Sequence, residues 1–317
     1  MSSLVLEWRD DATLLNLKRQ QKIDDHTYFK LRSTDGNPPA IRGFNKHHKD
    51  GYPLRPIVTC IGSALYNTSE FLTDILASIQ NGNGFSVANS QEFSNEIADV
   101  IIQDDETMVS FDVMSLFTAI PVDKACDYIR KKLEDDSSLH SRTKLDIEDI
   151  ISLLNFVLSN NYFVYNDTIY KQIHGYAMGS PVSPVVANLF MEEIEKTAIN
   201  ATPVSPKFWK RYVDDSFCII KSDAVASFHD SLNSIDQHIS FTIEHGSNGQ
   251  LPFLDTLISR DNGKLMVDIY RKPTHTDILT LVFNRFRHLP FNYFKMKIVR
   301  KKLHKKRRKT QERILRR

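Results

Sequence analysis

Residues 208–221 read FWKRYVDDSFCIIK, and this stretch indicates how the chain folds. Apolar residues dominate both of its arms, and the pair Asp214-Asp215 separates them. Because aspartate is a favoured turn residue between strand-forming segments, the pattern predicts a β-hairpin with two carboxylates at its tip. An Asp-Asp pair on its own is most often a surface turn, so its meaning depends on its surroundings.

Another carboxylate lies in a second strand-like run, residues 108–113, MVSFDV, where Phe111 and Val113 flank Asp112. An acid beside a buried strand is costly to desolvate unless it is paired or binds a cation. Three carboxylates brought together from two strands would repel one another without a metal. Oxygen ligands suit Mg²⁺, and two such ions about 4 Å apart can activate a 3′-hydroxyl and hold a leaving pyrophosphate.

Helical and strand-like segments alternate irregularly along the rest of the chain. Two short amphipathic helices are predicted within residues 1–35, and the glycines and prolines of 36–56 predict irregular chain. Helices are predicted over 65–79, 93–101, 121–133, 147–158, 183–196 and 225–235. Further strands are predicted over 162–165, 168–172, 239–243, 253–258 and 265–270. Because hairpins join most of the strands, the fold class is α+β and not a parallel βαβ array.

Composition excludes several classes of protein. The chain has 317 residues, of which 41% are hydrophobic and 25% charged, as in ordinary globular proteins. Its three cysteines are far apart, which argues against a disulfide scaffold or a cysteine-based zinc site and favours an intracellular compartment. No apolar run approaches the roughly 18 residues of a membrane span, so no membrane partner is expected.

The charge is unevenly distributed. Of the 41 lysines and arginines, thirteen lie in residues 295–317, where Glu312 is the single acid. A basic block of this kind binds phosphate backbones or acts as a nuclear localisation signal, and nuclear localisation is the expectation here. The alternative is a solvated end without a fixed partner.

Three segments together resemble the conserved motifs of reverse transcriptases. Residues 110–117 (SFDVMSLF) resemble motif A, 175–189 (GYAMGSPVSPVVANL) resemble motif B, and 212–215 (YVDD) match motif C. Supporting resemblances occur at 54–58 (LRPIV) and 251–255 (LPFLD). The segments SLFT, AMGSP and YRKPTHTD (270–277) are similar to the Penelope-like retroelement branch. The resemblance covers about residues 14–277, with motifs in the family's order, and it implies a reverse transcriptase domain.

The resemblance implies an α+β right-hand polymerase with fingers and an antiparallel palm sheet. It divides the chain into N-terminal helices (1–35), reverse transcriptase fingers and palm (36–277) and a basic tail (278–317). The tail does not resemble the thumb-like continuation of the family, and neither GIY nor YIG occurs in the chain. The expectation is therefore a truncated domain without thumb or GIY-YIG endonuclease, whose tail is disordered or aberrant.

The resemblance also assigns roles to single residues. Asp112, Asp214 and Asp215 are implied to be catalytic. The implied contacts of two Mg²⁺ ions, with Mn²⁺ as a substitute, are Asp112, Val113, Asp214 and Asp215. The implied nucleotide-binding residues are Arg55, Lys46, Phe117, Met178 and Gly179. Of these, Arg55 would bind the triphosphate, and Phe117 would exclude a ribose 2′-hydroxyl. The alternative for Phe117 is an aromatic ring of the core, and the alternative for Lys46 is a solvated lysine in a loop.

The implied activity is RNA-directed DNA polymerisation, with an RNA template, a DNA primer and deoxynucleoside triphosphates as partners. Many such enzymes place a lysine before the Pro-Phe-Leu strand as proton donor to pyrophosphate, and here no Lys or Arg occurs between Ser222 and Ser259. His245 is the nearest titratable substitute. Three alternatives stay open: a catalytically silent remnant that binds nucleic acid or a partner, a telomere-type or other cellular reverse transcriptase, and an unrelated α+β protein.

Overall fold

Ten α-helices and eleven strands make up the part of the chain that a computed structural model describes, residues 3–34, 36–45, 54–80 and 82–271. The helices are α1 (Ser3–Arg19), α2 (Asp25–Leu31), α3 (Tyr66–Leu76), α4 (Ser90–Ile97), α5 (Leu116–Ala119), α6 (Val122–Glu134), α7 (Leu139–Arg142), α8 (Ile147–Ser159), α9 (Ser183–Ala201) and α10 (Val225–Ser234). The strands are β1 (Ala40–Asn45), β2 (Leu54–Thr59), β3 (Glu106–Val113), β4 (Tyr162–Tyr165), β5 (Thr168–Lys171), β6 (Phe208–Tyr212), β7 (Asp215–Lys221), β8 (Phe241–His245), β9 (Gln250–Phe253), β10 (Thr256–Asp261) and β11 (Lys264–Ile269).

A four-stranded antiparallel sheet, here called the palm sheet, has the strand order β6-β7-β3-β8. The predicted hairpin forms its β6–β7 edge, and β3 lies between β7 and β8. The strand predicted over 108–113 is therefore central, which explains why its residues are mostly apolar. The predicted α+β class with an antiparallel palm sheet is confirmed.

Both faces of the palm sheet are covered by apolar side chains. Val109, Phe111 and Val113 point into the main core, which they share with residues of α6, α8, α9 and α10. On the opposite face, Met108 joins Phe217 in a second cluster with residues of α4 and β9–β11. Because side chains alternate along a strand, Ser110 and Asp112 share the face of Met108, and both are half-buried.

A second sheet, here called the fingers sheet, has the order β2-β1-β4-β5. The irregular chain predicted for 36–56 was wrong where β1 and β2 pair, with Gly43 opposite Pro56. Glycine and proline disfavour strands in general, but proline is tolerated at an edge, where its missing N–H removes no ladder bond. The edge position of β2 cannot be read from local sequence.

A third sheet, β11-β10-β9, lies on the second face of the palm sheet. The single strand predicted over 253–258 was wrong, because the chain turns at Leu254 and Asp255 between β9 and β10. Leu254 has a φ of 55°, a left-handed conformation that the apolar pattern does not predict.

The N-terminal helices contribute Leu14, Leu17 and Leu31 to the main core. The described residues belong to one compact unit, Met1–Arg271. Predictions for the tail, 278–317, including the missing thumb, lie outside the described residues, and the predicted domain boundaries stay predictions. None of the helices in the described ranges combines the length and the apolarity needed to cross a membrane.

Candidate active site

Two predicted catalytic carboxylates face each other across neighbouring strands. The antiparallel register of β3 and β7 pairs Asp112 with Asp215 and Phe111 with Ser216. Side chains of directly opposite residues share a face, with Cβ atoms about 5 Å apart. Asp214 lies in the turn immediately before Asp215, so the fold brings all three aspartates to one end of the palm sheet.

The turn of the β6–β7 hairpin is tight. Tyr212 pairs with Asp215, which leaves Val213 and Asp214 as the two residues of the turn. Val213 has a φ of 58°, which is rare for a β-branched residue. The Val113 N–H of β3 donates to the Asp214 carbonyl oxygen at 3.0 Å, so the turn is also tied to the central strand.

The surroundings of this end hold β3 rigidly. The Phe111 ring packs against Trp209 and Phe228, with centroids 5.5 and 5.9 Å away. The Thr242 hydroxyl on β8 donates to the Asp112 carbonyl oxygen at 3.3 Å. β3 is hydrogen-bonded to a neighbouring strand on each edge, and its apolar face packs against the main core. The backbone that carries Asp112 is therefore held within a regular β-strand.

The donor set at this end fits Mg²⁺ chemically. Its side-chain donors are carboxylate oxygens, which hard divalent cations prefer, and like charges directly opposite across a sheet repel unless a cation lies between them. Within the described ranges, no group of three or more histidine, cysteine, aspartate or glutamate side chains is arranged to hold a metal ion. The two-ion site predicted at Asp112, Val113, Asp214 and Asp215 therefore stays a prediction.

The motif B segment lies against the segment that follows β3. The Tyr176 N–H donates to the Phe117 carbonyl oxygen at 2.8 Å, and a Cβ on Gly175 would overlap that same oxygen. The half-buried Phe117 ring contacts Tyr176 edge-on, with centroids 6.4 Å apart. Phe117 thus lies between the Asp112 strand and motif B, and its role as a steric gate stays a prediction.

Gly179 connects motif B to the fingers sheet. A Cβ at this position would overlap the Val58 carbonyl oxygen on β2, so only glycine permits the approach. The resemblance implies that Gly179 contacts the nucleotide, and the close neighbour seen in the structure is the protein's own backbone. The adjacent Met178 is half-buried.

The remaining predicted residues are Arg55, Lys46 and His245. Arg55 is exposed on β2, opposite Phe44 of β1, and Lys46 lies outside the described residues. His245 pairs with Val109, so it lies on the opposite face of the palm sheet from Asp112. This register disfavours His245 as a proton donor at the carboxylate end.

A buried ion pair beside the hairpin was missed from sequence. The Arg211 Nε donates to Glu195 Oε1 at 2.7 Å, and the Trp209 indole N–H donates to the same oxygen at 2.9 Å. Burial raises the pKa of Glu195 above its usual range, although the Arg211 guanidinium opposes the shift. The available signals were an arginine next to motif C and a glutamate in an apolar helix, but nothing local pairs the two.

The chain has the fold of solved nucleic-acid polymerases. Telomerase from Candida albicans, with a fragment of telomeric RNA, gives a TM-score of 0.56 at 12% identity, covering 83% of this chain and 51% of that one. Apo telomerase from Candida tropicalis, truncated from its C-terminal domain, gives 0.54 at 14% identity, covering 73% and 55%. The RNA-dependent RNA polymerase of BmCPV at elongation state gives 0.51 at 14% identity, covering 87% and 26%.

These likenesses establish a right-hand, reverse-transcriptase-like polymerase fold. The chain spans about half the length of the telomerase chains that it resembles. No protein-family model matches the sequence, and a search of curated proteins gives no match.

Proposed function

We propose that this chain is the core of an RNA-directed DNA polymerase, which adds deoxynucleotides to the 3′-end of a DNA primer along an RNA template. The observation that carries the proposal is the register of β3 and β7. It sets Asp112 opposite Asp215, with Asp214 in the turn, at one end of the palm sheet of a right-hand fold. The motif resemblance supports the choice of reaction.

In this proposal Asp112, Asp214 and Asp215, with Val113, hold two Mg²⁺ ions or Mn²⁺ in their place. Such ions, when bound, lower the pKa of a hydroxyl and stabilise negative charge on the phosphates. The protein's own contribution is positioning, because the rigid β3 and the tied hairpin turn fix the carboxylates before substrate arrives.

The nucleotide-binding roles belong to residues around this end. Arg55 binds the triphosphate, since a guanidinium matches phosphate oxygens bidentately. Phe117 excludes a ribose 2′-hydroxyl, and Met178 and Gly179 contact the nucleotide and template. Lys46 is retained as a second phosphate-binding candidate on the basis of sequence alone.

We further propose that the enzyme is that of a Penelope-like retroelement and acts in the nucleus. The similarity of the motif sequences to that branch supports the retroelement origin. The thirteen basic residues of 295–317 support the nuclear location. A fluorescent fusion that loses nuclear accumulation when the lysines and arginines of 301–309 become glutamine would support nuclear import. Unchanged accumulation would count against it.

Primer extension tests the activity. Purified protein is given Mg²⁺, labelled deoxynucleotides and a DNA primer annealed to RNA, beside the Asp214→Asn/Asp215→Asn variant. We expect extension by the wild type and a loss of about a thousandfold or more in the variant. Asp167→Asn is the matched control, since it makes the same change at the exposed turn of the β4–β5 hairpin and should leave extension intact.

The outcomes separate the alternatives. Folded wild-type protein that binds the duplex but never extends it would contradict the polymerase proposal and support a silent binding remnant. Extension with ribonucleotides in preference to deoxynucleotides would contradict the choice of product. Extension on DNA templates alone would contradict the choice of template.

A further inference from the structure

Arg211 is the largest fully buried side chain of the described residues, and it lies two positions before the catalytic hairpin turn. Its guanidinium has three acceptors in reach. Nε donates to the Glu195 carboxylate at 2.7 Å, one terminal nitrogen donates to the Val213 carbonyl at 3.2 Å, and the other lies 3.5 Å from the Asn188 carbonyl. Two of these acceptors belong to α9 and the third belongs to the turn.

The contact with Val213 falls on a strained residue. A β-branched side chain at a φ of 58° is strained, and such a conformation persists only when its surroundings hold it. The strain therefore requires a contact that fixes the turn, and the Arg211 bond to the Val213 carbonyl is one.

Both peptide groups that flank Asp214 are held. The Val213 carbonyl, in the peptide before Asp214, accepts from Arg211. The Asp214 carbonyl, in the peptide after it, accepts from the Val113 N–H at 3.0 Å. With both planes fixed, the backbone orientation from which the Asp214 carboxylate projects is fixed too.

Stability alone does not explain a buried arginine at this position. A buried ion pair contributes little net stability, because desolvation offsets the attraction, and an apolar pair of similar volume often serves as well. A guanidinium, however, presents its donors in a rigid fork that can bind a carboxylate and a backbone carbonyl together, whereas a lysine ammonium is a point donor.

We propose that Arg211 is a positioning residue, which anchors on Glu195 of α9 and fixes the motif C turn so that Asp214 is aimed for metal binding. This role rests on the proposed function, in which Asp214 is a metal ligand. Arg211 itself is buried, and it acts through its contacts with the turn and with α9.

Two variants separate positioning from stability. Glu195→Gln removes the negative charge but keeps an oxygen acceptor for Trp209 and Arg211, so the bond to Val213 survives. Arg211→Met/Glu195→Gln removes the guanidinium as well and leaves a neutral pair, which is expected to fold. Each is compared with wild type by circular dichroism, steady-state primer extension and hydrogen exchange of the peptide spanning the turn.

We expect the double variant to lose at least tenfold in kcat relative to Glu195→Gln, with the KM for the deoxynucleotide within twofold and a higher Mg²⁺ requirement. Amide exchange in the turn peptide should be about tenfold faster than in Glu195→Gln, while exchange in β3 stays the same. If the double variant does not fold, Arg211→Lys is compared with wild type in the same assays, because one ammonium cannot serve both acceptors.

Equal kcat and equal turn exchange in the two variants would overturn the positioning role. A loss of kcat without faster exchange would overturn it as well. If the wild type extends no primer, the proposed function fails, and the exchange comparison still decides whether Arg211 fixes the turn.

Discussion

Gly179 shows how one atom can decide whether motif B reaches the fingers sheet. Because an added Cβ would overlap the Val58 carbonyl oxygen, Gly179→Ala must displace backbone on one side or the other. We expect a loss of about 3 kcal/mol or more in the free energy of unfolding, together with a large loss of primer extension. Urea denaturation followed by circular dichroism measures the first quantity.

Gly82→Ala is the matched control for this prediction. A Cβ at Gly82 would meet only the end of the Lys132 side chain, at 3.8 Å, so the change should be neutral or slightly stabilising. Equal stability losses in the two alanine variants would mean that the close approach of Gly179 to β2 is not required.

At this scale the sequence reveals residue types better than residue partners. It singled out Asp112 and the Asp214-Asp215 pair, because acids beside apolar runs are unusual, and the structure brings them to one end of the sheet. It did not reveal the Arg211–Glu195 pair, since the two residues belong to a strand and a helix that meet only after folding. A contact between two elements does not alter the spacing of apolar residues in either one, so that spacing does not predict the contact.

Helix α8 is fixed at its start by a capping box. The Asp146 carboxylate accepts from the Asp149 backbone N–H, and the Asp149 carboxylate accepts from the Asp146 backbone N–H. The Lys22 ammonium contacts both carboxylates, at 2.9 and 2.5 Å. The Lys22 contact holds the Asp146 pKa below its usual value. The chain just after α1 is thereby attached to the first turn of α8.

We expect Asp146→Ala to lower the free energy of unfolding by about 1 kcal/mol, because the first turn of α8 loses the acceptor that caps it. Urea denaturation at neutral pH measures the loss. Ser152→Ala, an exposed change in the middle of the same helix, should leave stability within about 0.5 kcal/mol. A wild-type midpoint for Asp146→Ala would show that the cap is dispensable.

Most elements were predictable where local patterns are strong. The hairpin at Asn166-Asp167 and helix α8 have nearly the bounds that turn residues and apolar spacing predict. Two failures, β1 with β2 and the β9–β10 turn, fall where tertiary contacts override local preference, and the helix predicted over 93–101 ends at Ile97. Pro56 is accepted because β2 is an edge strand, and Leu254 adopts a left-handed conformation because β9 and β10 must pair.

The stability of the whole molecule should depend on the protonation of Asp10. This residue of α1 is 1% exposed, and the Thr68 hydroxyl of α3 lies 3.2 and 3.1 Å from its two carboxylate oxygens. Burial raises the Asp10 pKa from 3.8 to about 7, more than the Thr68 hydrogen bond lowers it. The folded state therefore favours the protonated acid, and its contribution to stability declines as the pH rises from about 4 to about 7.

We expect Asp10→Asn to be more stable than wild type at pH 8, by up to about 4 kcal/mol, and to match wild type near pH 4. The amide keeps an acceptor for Thr68 and never ionises. Denaturation midpoints at pH 4, 6 and 8 give the trend. Asp74→Asn, an exposed control on α3, should show no such trend, and a constant difference between Asp10→Asn and wild type at all three values would contradict the assignment.

The position of β3 between β7 and β8 also determines when this strand can pair during synthesis of the chain. Phe111 pairs with Ser216 on one side and with Ile243 on the other. More than a hundred further residues must therefore be synthesised before either edge of β3 can form hydrogen bonds. At about 5–20 residues per second, the ribosome needs on the order of ten seconds to supply them. During that interval a partly apolar strand has two open edges, so we expect the nascent chain to need chaperones and the carboxylate end to form late.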